Sequence, residues 1–143
     1  MKYSIFLLAV LGMMLGCNPN VKYSKILSGS TWRITSAKVD GVAVEINGTN
    51  LRFEECSIYE ELCMATWSPS AGGVGKFIWQ FRERAKTLEL VNQTESSEPL
   101  DVAAGEACLM FSAVYAVEEK SKTRIELNGK NDQNEPIKLV IEK

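Results

Sequence analysis

Between Lys76 and Arg82 the side chains Phe77, Trp79 and Phe81 occupy every second position, with Ile78, Gln80 and Arg82 between them. Two is the period of an extended strand, so the segment predicts one aromatic face and one mixed face. The same rhythm recurs along the chain. It brings Trp32 and Ile34 together in 31–40, Leu51 and Phe53 in 49–56, and Leu88 and Leu90 in 87–92, and a further run spans 62–68. Near the end, Ile125 and Leu127 alternate in 123–128, and Ile137, Leu139 and Ile141 alternate in 137–142. The longest apolar run, 108–118, sets Leu109, Phe111, Ala113, Tyr115 and Val117 against Cys108, Met110, Ser112, Val114 and Ala116, so both of its faces are expected to be covered.

Turn residues punctuate these runs. Asp40-Gly41 suits the positive φ angles of a tight hairpin, 68–73 is a Ser, Pro and Gly loop, and 129–136 is a polar connection. No segment has a long helical period. Residues 21–27 suffice for one helical turn or a short cap, and 93–107 reads as a long connection over a barrel mouth or a sheet edge. Eight short antiparallel strands in sequence predict an all-β fold, an up-and-down meander barrel that closes its own edges. A β-sandwich is the alternative, and periodicity does not separate the two.

Ahead of this body, Lys2 precedes an almost unbroken apolar run from Ser4 to Leu15, the charged start and hydrophobic core of an export signal. The run is shorter than the roughly 20 residues of a permanent membrane span. It ends at Met14-Leu15-Gly16-Cys17, which resembles the bacterial lipobox and makes Cys17 the expected lipidation site, carrying palmitate-type acyl chains. Two or three such chains hold a protein at a membrane where one does not. The expected organisation is a signal peptide over 1–16, a lipidated tether over 17–26 with 18–20 as its turn-forming start, and one barrel domain over 27–143. The expected location is the bacterial envelope, with the outer membrane preferred and the domain in the periplasm or at the cell surface.

Leu27-Ser28-Gly29-Ser30-Thr31-Trp32, followed by Ile34 and Val39-Asp40-Gly41, resembles the opening of the lipocalin-like lipoproteins common in Bacteroidetes. Phe77-Ile78-Trp79-Gln80-Phe81 with Thr87-Leu88-Glu89-Leu90, and Tyr115-Ala116-Val117 with Ile125-Glu126-Leu127, resemble the hairpins that follow in that family. The resemblance implies a lipocalin-like barrel and a small apolar ligand. The opening also resembles the META domain of other envelope lipoproteins, whose glycine-cysteine-asparagine signature has no counterpart here.

Chemistry is constrained by what is missing. The chain has no histidine, which removes Ser-His and Cys-His nucleophile pairs and imidazole zinc sites. Glu54-Glu55 and Glu60-Glu61 are paired carboxylates, yet they flank a turn and read as a solvated loop. Gly73-Val74-Gly75-Lys76 lacks the Ser or Thr and the helix that a phosphate loop requires. Asn128, Asp132, Asn134 and Glu135 lack calcium-loop order and read as a hairpin turn. The expectation is therefore a non-enzymatic protein with no cofactor and no metal.

With 16 basic against 18 acidic residues, interspersed, no nucleic-acid surface is expected, and membrane attachment is assigned to lipid and not to basic residues. The expected partners are a membrane and a small apolar molecule; the sequence leaves oligomeric state open. Trp32, Phe77, Trp79, Phe81, Phe111 and Tyr115 are candidates for a ligand-cavity wall, with a filled core as the competing reading. Export favours disulfides, and Cys56 and Cys63 face each other across a short loop between predicted strands, which leaves Cys108 as a buried free thiol. Pairing of Cys108 with either remains an alternative.

Overall fold

The computed structural model describes residues 19–46, 48–56 and 63–143. Residues 1–16 and the expected lipidation site Cys17 lie outside the described residues, as does the Glu60-Glu61 pair. The body is a closed antiparallel barrel. Strands β1 (Ser30–Val39), β3 (Asn50–Phe53), β4 (Cys63–Ser68), β5 (Gly75–Arg82), β6 (Thr87–Asn92), β7 (Ala113–Lys120), β8 (Arg124–Lys130) and β9 (Pro136–Glu142) each pair with the next. β9 returns to β1 through pairs such as Ile34 with Ile141 and Val39 with Ile137, so one sheet closes on itself and the sandwich alternative falls away. A two-residue strand, β2 (Val42–Ala43), folds back on β1 through Asp40 (φ 50) and Gly41 (φ 78). Both turn residues have positive φ, as a tight primed hairpin turn demands.

Alternation fills the interior as the sequence implies. Gly75, Phe77, Trp79 and Phe81 point inward from β5, and Trp32, Ile34, Leu51, Phe53, Leu88, Leu90, Ile125, Leu127, Leu139 and Ile141 join them. A bulge between Ile34 and Ser36 shifts the phase of β1, so Ala37 is buried although it lies three residues beyond Ile34.

Each end of the barrel has a helix. At the end where β1 starts, here called lower, α1 (Pro19–Leu27) packs on β5 and on the turn Glu83–Ala85. Nine residues are too few for a helix to persist alone in water. Tertiary contacts and a built C-terminus hold it: Leu27 is buried, the Tyr23 ring meets Phe81 edge-on, and Gly29 takes the left-handed position (φ 69) that ends such helices. The Ser30 hydroxyl donates to the Leu27 carbonyl and accepts from Trp32 Nε1 at 2.9 Å. Pro19 and Asn20 thus belong to the docked helix, where a turn-forming tether was expected. The Cys56–Cys63 disulfide forms at this same end, with Cα atoms 5.5 Å apart, and among the described residues Cys108 is a free, buried cysteine.

The upper end corrects the sequence reading. Residues 93–107 are not a plain connection: α2 (Pro99–Met110) runs across the mouth, and the following strand starts at Ala113, not at Cys108. Cys108 and Met110 are therefore helical residues. Val114, on the strand proper, is exposed, so the outer face of β7 is not covered as expected.

Candidate functional site

The mouth of the barrel is built around α2, and glycines let the helix come close. A methyl group on Gly75 would stand 2.3 Å from Cys108 Sγ and 2.9 Å from the Ala104 carbonyl oxygen. One on Gly73 (φ 84) would stand 2.2 Å from the Leu100 carbonyl oxygen. These glycines serve helix packing, which is the physical reason for the run that superficially suggested a phosphate loop. Asp101 then fastens the helix start, accepting from the Val74 backbone N–H at 2.7 Å and from the Ser96 hydroxyl at 3.1 Å.

The helix end is equally well satisfied. The Ser112 hydroxyl donates to the Cys108 carbonyl at 2.9 Å and accepts from the Asn92 N–H at 2.8 Å, while the Tyr115 hydroxyl donates to the Phe111 carbonyl at 2.6 Å. Burial pushes the Tyr115 hydroxyl upward from its ordinary range and raises the Cys108 thiol to about 12, partly countered by a hydrogen bond with Thr94. Neither group is poised as a base or a nucleophile near neutral pH.

Below α2 the interior is occupied by packed rings. Phe53 meets Trp79 edge-on at 5.1 Å between centroids, Trp79 meets Phe81 at 6.4 Å, and Trp67 meets Phe77 at 6.1 Å. Trp67 stacks on Phe111 at 5.4 Å, and this pair floors the mouth. The cavity-wall candidates Trp32, Phe77, Trp79, Phe81, Phe111 and Tyr115 are all buried. Phe111 lines the mouth cleft; the other five sit within the core, with Trp32 near the lower end beneath the Lys143 ammonium, 5.0 Å from its ring centroid.

The cleft over the Trp67–Phe111 pair has a volume of about 220 Å³. Val44, Ile46, Leu100, Ala107 and Met110 supply its apolar walls, and Glu45 stands on its rim. Val44 and Met110 also line a second, wider cleft of about 630 Å³ on the other side of the helix end, which reaches the β8–β9 turn. Sequence reading missed Trp67 and the α2 residues. The signals present were Trp67 in register with buried Ala65, Pro99 at a first helical position, and Ala104, Cys108 and Phe111 at helical spacing.

Other sequence candidates resolve into structure. Asn131 organises the 129–136 turn: its Oδ1 accepts from the Glu135 N–H at 2.9 Å and from the Gln133 N–H at 3.1 Å, and its Nδ2 donates to Glu135 Oε2 at 2.8 Å. Glu54 accepts from the Thr66 hydroxyl at 3.3 Å on the barrel surface. Among the described residues, no group of three or more potential metal ligands comes together, and no helix is long and apolar enough to cross a membrane.

Fold and mouth together define a class, the closed eight-stranded up-and-down barrel that lipocalins use. No family model matches the chain, and no curated protein matches it. Among solved structures it is similar to a redesigned β-barrel at 12% identity and a TM-score of 0.52, over 90% of this chain and 96% of that one. It is also similar to a lipocalin-like protein from Bacteroides uniformis at 13% identity and a TM-score of 0.49, over 82% of this chain and 98% of that one. At such identity the likeness is one of fold alone.

Proposed function

We propose that this chain is a membrane-anchored envelope lipoprotein that binds a small apolar molecule at the mouth of its barrel and performs no chemistry on it. The observation that carries the binding reading is the 220 Å³ apolar cleft roofed by α2, set over an interior already filled by rings. Its size is just below the usual range for small-molecule sites, which fits a ligand of modest bulk or an apolar portion of a larger one.

The anchoring reading rests on the export signal and on Leu15-Gly16-Cys17. One residue, Asn18, separates Cys17 from Pro19, and the two chain steps span about 7 Å at most. Because α1 is docked at the lower end, acyl chains on Cys17 would leave from there and the mouth would face away from the bilayer. Lys22, Lys25, Arg84, Lys86 and Lys122 are exposed on α1 and the nearby turns, a charge pattern that supports apposition to anionic headgroups beyond what lipid alone was expected to supply. The outer membrane is the preferred location.

Two measurements on protein expressed in a bacterial host test the reading. Labelled palmitate should enter the wild-type chain and be absent from Cys17→Ser; label retained in the variant, or absent from both, would refute anchoring at this residue. Native mass spectrometry after gentle extraction should reveal a co-purifying small mass that is lost with Met110→Glu. A second reading, a solid barrel that contacts a protein or glycan through its loops, draws on the ring-filled core and on Leu109 and Val102 exposed on α2. Repeated extractions with no bound mass would favour it.

A further inference from the structure

The two clefts on either side of Val44 and Met110 share an electrostatic character. Their walls are apolar: Val39, Val42 and Leu109 line the wider one, and Ile46, Leu100 and the Trp67–Phe111 pair line the narrower. Their charged lining is acidic throughout. Glu106, Asp132 and Glu135 border the wider cleft and Glu45 the narrower, and among the described residues no lysine or arginine lines either. Beyond the lining the charge is mixed: Asp40, Glu95, Glu98 and Asp101 belong to the mouth loops and the start of α2, and Lys38, Lys76 and Lys130 stand exposed at the strand ends beside them, so the acidic character is confined to the cleft walls.

An apolar groove with a carboxylate rim sorts ligands by sign. A carboxylate or phosphate would be repelled as its tail approached the walls, whereas a cation would be drawn to the rim while its apolar body displaced water from the groove. A neutral apolar molecule would gain the second effect without the first. Resting on the proposed mouth-binding function, we infer that the preferred ligand is an amphipathic organic cation: a small amine whose apolar body lies against Val42, Leu109 and Met110 in the wider cleft and whose ammonium group faces Glu106, Asp132 and Glu135 on the same lining.

An isosteric series of hexylamine, hexan-1-ol and hexanoate separates the charge argument from the apolar one. The full chain, held in detergent micelles, is the material to use. Of its five methionines, Met64 and Met110 fall among the described residues, and of these two Met110 alone lines the mouth, so ¹³C-methyl NMR, with the Met110 signal assigned through Met110→Leu, reports on the site with Met64 as an internal control.

Hexylamine, protonated at neutral pH, should shift the Met110 methyl saturably and leave Met64 in place, with an affinity about fivefold or more above that of the alcohol and hexanoate weakest. Glu106→Gln combined with Asp132→Asn, both exposed positions, should bring the amine down to the affinity of the alcohol. Equal affinities across the series, or an unchanged amine affinity in the double variant, would overturn the cation preference and leave the binding site standing. Absence of any Met110 shift with all three compounds would overturn both.

Discussion

Gly75 and Cys108 show how much one pair of small residues decides. The helix that roofs the mouth sits where it does because Gly75 has no Cβ to meet Cys108 Sγ and the Ala104 carbonyl. Gly75→Ala should therefore destabilise the barrel by about 1 to 3 kcal/mol, as overpacking does, and Cys108→Ala in the same chain should recover part of the loss; urea unfolding measures both. The thiol itself should be inert. Held up to about 12 by burial, it should ignore a disulfide reagent in the folded protein and react once the chain is denatured. The same shift links stability to pH. The folded state keeps its proton while the unfolded state, with an ordinary thiol near 9.0, releases it, so this contribution is complete below pH 9 and is lost as pH rises toward about 12. Tyr115, raised by burial as well, acts with the same sign at higher pH. Unfolding midpoints at about pH 8 and about pH 10.5 should fall more in the wild type than in Cys108→Ala. Sequence gave notice of a buried Cys108 but not of its helical setting, because glycine spacing says that a backbone comes close and not which one.

Elements differ in how openly they declare themselves. The strands were legible because burial on one side of a closed sheet imposes a strict alternation, and Phe77, Trp79 and Phe81 obey it without exception. The Cys56–Cys63 bridge was legible for a related reason, since adjacent antiparallel strands put short-loop neighbours within reach. Closing a ring of eight residues, it should contribute about 2 kcal/mol, which the Cys56→Ser, Cys63→Ser double variant would lose in thermal or urea unfolding. α2 was illegible because it buries a narrow stripe of Ala104, Gly105 and Cys108 and leaves Leu100, Val102 and Leu109 in water, so its pattern contrasts little. The turn before β6 was also hidden. Glu83, Arg84 and Ala85 all have positive φ, a conformation that costs an L-residue about 1 to 2 kcal/mol. Contacts hold it in place: the Ala85 N–H donates to Asn20 Oδ1 on α1, and Lys120 Nζ donates to the Ala85 carbonyl at 2.6 Å. Arg84 is exposed, so Arg84→Gly should relieve strain without removing a buried contact and raise stability by up to about 1 kcal/mol.

At the scale of the whole molecule, the barrel is a plugged cylinder with unlike ends. α1 seals the lower end, and α2 roofs an acidic, apolar mouth at the other. Inward alternation reveals that rings meet on the axis, but whether they meet snugly or leave room depends on how strands tilt and how rings stack, which one-dimensional periodicity does not encode. That is why the six aromatic candidates were identifiable as interior residues while the open cleft above Trp67 and Phe111 was not. The central claim is that this protein has its binding space at the mouth and not along the barrel axis. Crystals pressurised with xenon, which settles in apolar vacancies and ignores charge, test that claim most directly. The account predicts a xenon peak between Met110, Leu100 and the Trp67–Phe111 pair; a peak on the axis among Trp32, Trp79 and Tyr115, with the mouth empty, would contradict it.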